Sequence, residues 1–357
     1  NLSYTRPLPK NLVVEVGYVG RLSRKGLLRQ DYSQPLTNLK DPKSGQTWTE
    51  ASGVLYDLFL KGVTPAQVRA NPSLVGQVPY FENMFPGAAN LSFTGSATAN
   101  YFNTVYATYA GSDLDALNDM DRVRRANGRC ISVTGCNTFF ANQAAGMTVW
   151  TNASNASYHA GNLVVRRALD KGWGFDFNYT LSHAFDIASG SESALDNNFT
   201  GTATNGAGGS VIQDAFNPRG SYGVASFDIR HNATMNTVVE LPFGKGKKFL
   251  NSANPWVDQA IGGWQLSMLG RFRSGLPQDI TNGGVYPTNY LNSALAVRKP
   301  GAPSPVQGVT FNQNGNPAVF QNTNVISSFQ GQYPGTTGER GIVRAAGSTN
   351  FDISVGK

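Results

Sequence analysis

Apolar and polar residues alternate along several stretches of the chain, most clearly in GFDFNYTLSHAFD at Gly174–Asp186. The apolar residues at every second position of this stretch are Phe175, Phe177, Tyr179 and Leu181. Successive side chains of a β-strand point to opposite faces of its sheet. The stretch therefore predicts a strand with one apolar face and one polar face.

The same alternation recurs in four other segments, which read NLVVEVGYVG, SFDIRHNATMNTVVELP, WQLSMLGRFRSG and NFDISVGK. The predicted strands are long, because the alternation persists for ten residues or more at Gly174–Asp186 and from Ser226 to Leu241. Strands of globular proteins average about 5–6 residues, whereas a strand that crosses a bilayer needs about 9–11. Strand length therefore favours a membrane barrel.

The connections between the predicted strands alternate between short and long. DKGW and RPLPKN are short turns, whereas residues 20–157, 187–225 and 277–349 form long segments rich in Gly, Asn, Ser and Pro. Outer-membrane barrels have short periplasmic turns and long extracellular loops. We therefore expect an all-β fold, part of a large antiparallel transmembrane β-barrel, in which these three segments are mostly extracellular loop.

Whether a position is odd or even within its strand then predicts whether its side chain faces the lipid or the lumen. The lipid-facing residues are expected to be Phe175, Phe177, Tyr179, Leu181, Phe227, Ile229, Met235, Val239, Trp264, Leu266 and Met268. The lumen-facing charged residues are expected to be Glu15, Arg166, Asp176, Asp228, Arg230, Glu240, Arg271 and Arg273. From the residues alone, these charges are either a polar lining that meets water or the lining of a substrate path.

Aromatic and histidine residues are expected to mark the two edges of the membrane. Trp173 and Trp264 lie at the short-turn ends of their strands, where an inner aromatic girdle is expected. His159, His183 and His231 share the apolar parity but lie near the long-loop ends, so we expect them at the outer interface.

Composition agrees with an all-β protein that has long loops. The chain has 357 residues, of which 40% are hydrophobic, 14% are charged and 40 are glycine. Its 29 Lys and Arg exceed its 22 Asp and Glu by 7, but this basic excess is spread out. No aromatic-studded basic face indicates a nucleic-acid partner. Since the start, NLSYTRPLPKN, does not resemble a signal peptide, we expect a mature chain or a fragment.

Two cysteines and two helical segments fall in the first long loop. Cys130 and Cys136 flank ISVTG, and a loop disulfide in an oxidising compartment is favoured over two free thiols. Thr64 before Pro65 predicts the start of one helix, and Ser112 before SDLDALNDMDRVRRA caps another.

Candidate chemistry is sparse. GKGKK at Gly244–Lys248 lacks the spacing of a phosphate-binding loop, and the three histidines lie on separate strands. For the acidic cluster Asp113, Asp115, Asp119 and Asp121, a solvated helix face is favoured over a calcium site. We therefore expect no catalytic residue, no cofactor and no bound metal.

Several segments, taken in order, resemble the barrel of TonB-dependent outer-membrane receptors. The segments are LPKNLVVEVGYVGRLSRKGLLR, SYHAGNLVVRRALDKGWGFDFNYTLSHAFD, FNPRGSYGVASFDIRHNATMNTVVELPFGKGKKFL, IGGWQLSMLGRFRSGLPQDIT and GERGIVRAAGSTNFDISVGK. They are most similar to the Oar-like group, whose members carry a carboxypeptidase-regulatory-like domain. The resemblance implies a barrel of about 22 strands around a plug, so that contact with this plug becomes the favoured role of the lumen-facing charges. Residues 1–357 then form a barrel fragment without the plug and N-terminal domains.

The resemblance implies uptake of an unidentified ligand, driven by TonB, through a protein of the cell outer membrane. The expected partners are outer-membrane lipid and lipopolysaccharide, the protein's own plug, TonB and the transported ligand. A plug-less porin and a surface β-sandwich that acts as an adhesin or glycan-binding module remain as alternatives. In a sandwich the aromatic rows would be hidden between two stacked sheets.

Overall fold

The computed structural model describes residues 1–141, 147–187, 189, 212–281, 295–302, 307–311, 315, 317–320 and 323–357. Residues 190–211, which belong to the second predicted loop, lie outside the described residues. The strands of the described residues are β1 Leu2–Leu8, β2 Leu12–Asp31, β3 Arg125–Ala126, β4 Arg129–Cys130, β5 Thr148–Asp170, β6 Trp173–Asp186, β7 Gly223–Val224, β8 His231–Glu240, β9 Gln265–Arg273, β10 Pro277–Gln278, β11 Val297–Arg298, β12 Gln307–Phe311, β13 Pro317–Phe320, β14 Phe329–Gln330, β15 Val343–Arg344 and β16 Ser348–Gly356.

The α-helices of the described residues lie in two regions of the chain. They are α1 Trp48–Leu60, α2 Pro65–Ala70, α3 Pro79–Met84, α4 Ala97–Asn103, α5 Asp113–Asn118 and α6 Pro255–Ile261. None of these helices is long and apolar enough to cross a membrane.

One antiparallel sheet contains all the long strands. Its order is β1–β2–β5–β6–β8–β9–β16, with the short β7 paired to β6. Each strand therefore pairs with the next long strand along the chain, as in a meander. The remaining strands form four two-stranded ribbons, β3–β4, β10–β15, β11–β14 and β12–β13.

Tight turns join the strands at one end of the sheet, which we call the short-turn side. Lys171 and Gly172 both have positive φ, of 52° and 81°, between β5 and β6. A two-residue turn with both φ values positive matches the right-handed twist of the flanking strands. The connection from β8 to β9 is longer and holds α6, whose N-cap is Asn254.

The strands are longer than predicted on the opposite, long-loop side. β2 has 20 residues and extends to Asp31, and β5 has 23 residues and begins at Thr148. The predicted loop boundaries at 20 and 157 are therefore wrong, because Gly, Ser and Asn residues continue both strands. In contrast, β8 has 10 residues and begins only at His231, not at Ser226.

Residues 32–141 fold into a compact unit, here called the helical cap, on the long-loop side. It contains α1–α5, and the two helices predicted from Thr64 and Ser112 are α2 and α5. Each of its largest core side chains is at most 1% exposed; these are Trp48, Leu55, Tyr80, Phe81, Phe85, Tyr101 and Phe102. The indole of Trp48 donates a hydrogen bond to Tyr101 Oη at 2.8 Å. The segment predicted to be mostly loop therefore has a hydrophobic core of its own.

Candidate functional site

The strand register sorts the side chains of the sheet onto two faces. Phe177 pairs with Val165 on β5 and with Met235 on β8, and Met235 pairs with Gly270 on β9. We call the side that carries Phe177 the apolar face. Its members include Leu2, Tyr4, Val14, Val16, Tyr18, Leu163, Phe175, Tyr179, Leu181, Val239, Leu266, Met268, Phe272, Phe351, Ile353 and Val355. Many of these side chains are exposed, including Phe351 at 62%.

The opposite side, which we call the polar face, carries six of the eight predicted lumen residues. They are Glu15, Arg166, Asp176, Glu240, Arg271 and Arg273. Arg166 Nε donates to Asp176 Oδ2 at 2.8 Å across β5 and β6, and Lys247 Nζ donates to Glu240 Oε2 at 2.6 Å. Exposed pairs of this kind contribute at most about 1 kcal/mol each. The polar face is therefore hydrophilic and charged, with cationic residues concentrated on β9.

Five predicted site residues lie outside the strands to which they were assigned. They are Phe227, Asp228, Ile229, Arg230 and Trp264. The chain turns before β8, where the Asp228 N–H donates to the Ala225 carbonyl at 2.9 Å, so alternation at positions 227–230 does not set a sheet face. Trp264 lies one residue before β9. Asp228 is 1% exposed and accepts a hydrogen bond from the backbone N–H of Ala184 at 2.6 Å. It ties the end of β6 to that turn and does not line an open surface.

Aromatic–cation pairs end the apolar face on the short-turn side. The Arg167 guanidinium lies 4.6 Å from the centre of the Trp173 ring, and the Lys357 ammonium lies 5.6 Å from the Trp264 ring. Trp and cationic side chains of this kind collect where an apolar surface meets a polar interface.

Tyr–His pairs end the apolar face on the long-loop side. Tyr18 Oη lies 2.6 Å from His159 Nδ1, and Tyr179 Oη lies 2.8 Å from His231 Nδ1. His183 is the register partner of His159 and belongs to this row. The ten residue steps from Trp173 to His183 span about 33 Å along β6, or about 25 Å in height at a tilt near 40°. The apolar face is therefore as tall as the apolar band of an outer-membrane barrel.

A segment near the end of the chain, Gly331–Arg344, crosses the long-loop end of the sheet, and we call it the strap. The Arg340 guanidinium donates to Asp186 Oδ1 at 3.1 Å, to Ser189 Oγ at 2.6 Å and to the carbonyl of Ser221 at 2.9 Å. Arg344 forms a second ion pair with the buried Asp228. The strap therefore fixes the ends of β6 and the turn before β8.

The strap also contacts the helical cap. Tyr56 Oη donates to the carbonyl of Gly331 at 2.9 Å, and Tyr333 Oη donates to Asp57 Oδ2 at 3.2 Å. The Tyr56 and Tyr333 rings meet edge to face with centroids 5.6 Å apart. The cap is thus connected to the sheet by more than its two covalent links.

The acidic cluster of α5 and the turn after it is not a solvated helix face, so that prediction is wrong. Asp121 is 1% exposed and accepts the backbone N–H groups of Thr138, Phe139 and Phe140. Asp119 forms an ion pair with Arg124 at 2.5 Å. Within the described residues no group of three or more His, Cys, Asp and Glu could hold a metal ion.

Asp113, the first residue of α5, is buried, and its carboxyl group is not fully hydrogen-bonded. Its Oδ1 atom has no hydrogen-bond partner in the described part of the chain. Burial raises the pKa of the Asp113 carboxyl from 3.8 to about 7. Burial also raises the pKa of the nearby Tyr101 and Tyr106 hydroxyls, which therefore stay neutral.

Cys130 and Cys136 form a disulfide in the helical cap, with Cα atoms 5.3 Å apart. The enclosed segment packs on the cap, where the Val133 N–H donates to the Met84 carbonyl at 3.0 Å. The disulfide and the Asp121 contacts hold the last part of the cap against its core. Sequence spacing predicted this bond, whereas no local pattern indicated the strap, whose partners on β6 and on the cap lie more than a hundred residues away.

Comparison with known proteins adds one match. A family model described as an outer membrane beta barrel domain matches residues 1–357. A search of curated proteins and a search of solved structures each found no match. The family match covers the sheet, the helical cap and the strap together.

Proposed function

The chain belongs to the outer membrane β-barrel domain family and is an outer-membrane protein, and from this premise we propose that it forms the wall of a TonB-coupled receptor. In this proposal the apolar face contacts lipid and the polar face lines the lumen. The short-turn side is periplasmic, and the cap and strap are extracellular. The wall performs no bond chemistry; it encloses the path of a ligand that TonB-driven movement of a plug releases.

The division of the sheet into two faces carries the wall assignment. All six charged residues named for the polar face occupy one side over four consecutive pairings, from Glu15 on β2 to Arg273 on β9. The apolar face lies on the other side and has the height of a bilayer core. A strand in lipid must satisfy its backbone hydrogen bonds within the sheet, and the antiparallel ladders do so for the strands between β1 and β16.

The helical cap and the strap favour a receptor over an open porin. A porin needs only a passage, whereas a receptor needs a built outer surface that recognises a ligand. The cap has a packed core, and buried or half-buried side chains such as Arg340 and Tyr56 attach the strap to the sheet and to the cap. Resemblance to the Oar-like receptors supports the same choice.

The sandwich alternative has less support. A β-sandwich hides its inner rows between two sheets about 10 Å apart. The seven long strands of the described chain form one sheet, and apolar-face residues such as Val16 at 53% and Ile353 at 66% remain exposed.

Reconstitution distinguishes the receptor from the porin. The complete gene product that contains this chain is purified in detergent and inserted into liposomes, and swelling in solutions of small sugars is measured. A receptor with a plug gives no swelling and binds the isolated periplasmic domain of TonB. Free sugar permeation without TonB binding would establish the porin and overturn the proposal.

A further inference from the structure

A cavity opens beside the sheet just beyond the Tyr–His row, on the long-loop side. Its volume is about 440 Å³, and it lies between β2, β5 and the turn at Arg219–Tyr222. Its polar lining residues are Ser23, Arg24, Asn155, Ser157, Arg219 and Tyr222, and its apolar lining residues are Leu22, Ala156 and Ile187. Among the residues that the structure describes, no acidic side chain lines it.

The register places this cavity on the same side of the sheet as the apolar face. Gly20 pairs with His159 in the Tyr–His row, and the next pairs of the same parity are Leu22 with Ser157 and Arg24 with Asn155. Each step of two residues advances about 7 Å along a strand. The cavity therefore begins immediately above the apolar band, on its exterior side.

Tyr222 holds the turn that carries Arg219 on the apolar-face side of the sheet. Its hydroxyl lies 2.8 Å from Ser157 Oγ, and its ring stacks on Phe185 with centroids 5.9 Å apart. Phe185 and Ser157 are register partners on the exterior side. Arg219 is three residues before Tyr222, and the Tyr222 N–H donates to its carbonyl at 3.0 Å.

Two arginines in this cavity have no counter-charge in the described part of the chain. Arg24 and Arg219 are exposed, and within the described residues neither side chain forms an ion pair or a hydrogen bond. Guanidinium groups bind phosphate oxygens in bidentate fashion, and hydroxyl and amide groups bind sugar hydroxyls. The lining thus combines groups for a phosphate with groups for a sugar.

We propose that this cavity binds the phosphorylated sugar headgroup of an anionic glycolipid in the outer leaflet. The position just above the apolar band is where the headgroups of the leaflet lie, so the lipid's chains would run down the apolar face. The inference rests on the proposed contact of the apolar face with lipid. It adds a specific site, with Arg24 and Arg219 as the phosphate ligands.

Binding to lipid vesicles tests the site. The full-length protein in detergent is titrated with phosphatidylcholine vesicles that contain bisphosphorylated lipid A, and bound lipid A is measured by native mass spectrometry. Replacing both arginines, Arg24→Gln with Arg219→Gln, is expected to weaken binding about tenfold or more. Arg21→Gln is the matched control, because Arg21 is exposed on β2 but points to the polar side, and it should leave binding unchanged.

Three further measurements identify the source of the anion and exclude misfolding. Enzymatically dephosphorylated lipid A should bind like the arginine variant, and inorganic phosphate should not compete. The pair Arg24→Lys with Arg219→Lys should restore part of the affinity while the electrophoretic heat shift of the folded protein is retained. Unchanged binding by the glutamine variant, equal binding of dephosphorylated lipid, or competition by inorganic phosphate would each overturn the lipid site. None of these results bears on TonB coupling or on liposome swelling.

Discussion

Phe177 and Asn178 are neighbours near the middle of β6 and point to opposite sides of the sheet. If the apolar face contacts lipid, Phe177→Arg places a cation at the bilayer centre, which costs about 2–4 kcal/mol. Asn178→Arg places the same charge on the polar face, beside Asp176, at little cost. We expect the first variant to assemble poorly into the outer membrane and the second to assemble normally.

Assembly is measured as the heat-modifiable fraction in isolated outer membranes. The two variants share strand position, added charge and side-chain size, so a general effect of arginine on folding would lower both equally. Equal yields would show that the assigned faces are wrong.

Because the Asp113 carboxyl is buried, we predict that the helical cap is more stable at acidic pH. Burial raises the pKa of its carboxyl from 3.8 to about 7, so the folded cap retains the proton more strongly than the unfolded chain. The stabilisation is complete below the unfolded pKa and is lost as pH rises toward 7, by roughly 1.4 kcal/mol per pH unit. The neighbouring Tyr101 and Tyr106 do not titrate in this range because burial raises the pKa of each hydroxyl.

Hydrogen exchange of the cap at pH 5 and pH 8 checks this prediction, after correction for the intrinsic pH dependence of exchange. The wild-type cap should be less protected at pH 8. Asp113→Asn should remove that difference, since an amide cannot ionise, and Asp115→Asn serves as the control. A pH effect that survives in Asp113→Asn would assign the titration to another group.

At the scale of elements, the Arg340 guanidinium makes several of the contacts that attach the strap to the sheet. Arg340 is nearly buried, with side-chain exposure of 9%, and it reaches Asp186, Ser189 and Ser221 at once. Removing one partner of a buried ion pair costs about 3–5 kcal/mol because the other charge remains desolvated. Arg340→Ala should therefore release the strap locally, and Arg340→Lys should not rescue it because an ammonium cannot span these acceptors.

Limited proteolysis between residues 329 and 347 measures strap release. Glu339→Ala is the control, because Glu339 is the exposed neighbour in the same segment. Faster cleavage of both variants to the same degree would mean that the strap is loose irrespective of the Arg340 contacts.

At the scale of the whole molecule, the sheet order constrains how the wall closes. β1 and β16 are the first and last of seven antiparallel strands, so they run in the same direction. Antiparallel closure therefore requires an odd number of additional strands between them, and we propose that such strands complete the barrel. Direct pairing of β1 with β16 would be parallel.

Cysteine cross-linking tests this closure. Tyr4→Cys combined with Thr349→Cys, Phe351→Cys or Ile353→Cys should give no disulfide on oxidation, because the bond needs Cα atoms about 4.4–6.8 Å apart. Leu2→Cys with Tyr18→Cys should cross-link, since these two are register partners. A cross-link between β1 and β16 would instead indicate a closed seven-stranded wall.

Particular residues show how far sequence analysis succeeded. Alternation placed Asp176 and Phe177 on opposite faces, because the two-residue period of a strand is a local property. The same parity failed for Phe227 and Asp228, since the chain turns there and Asp228 is buried in an ion pair with Arg344. The cap was underestimated because four of its five helices have only 6 or 7 residues and their apolar faces are completed only by packing on one another.

The sequence by itself therefore determined the two-residue alternation of apolar and polar side chains and the strands with two different faces. It also determined the tight turns, the disulfide and the N-caps of α2 and α5. All of these features depend on residues that are close in the chain. Only the tertiary structure decided where β2, β5 and β8 begin or end, that residues 32–141 form a cap, and that the strap joins this cap to the sheet. These features depend on contacts between residues far apart in sequence, whose free energy appears only when the chain brings both partners together.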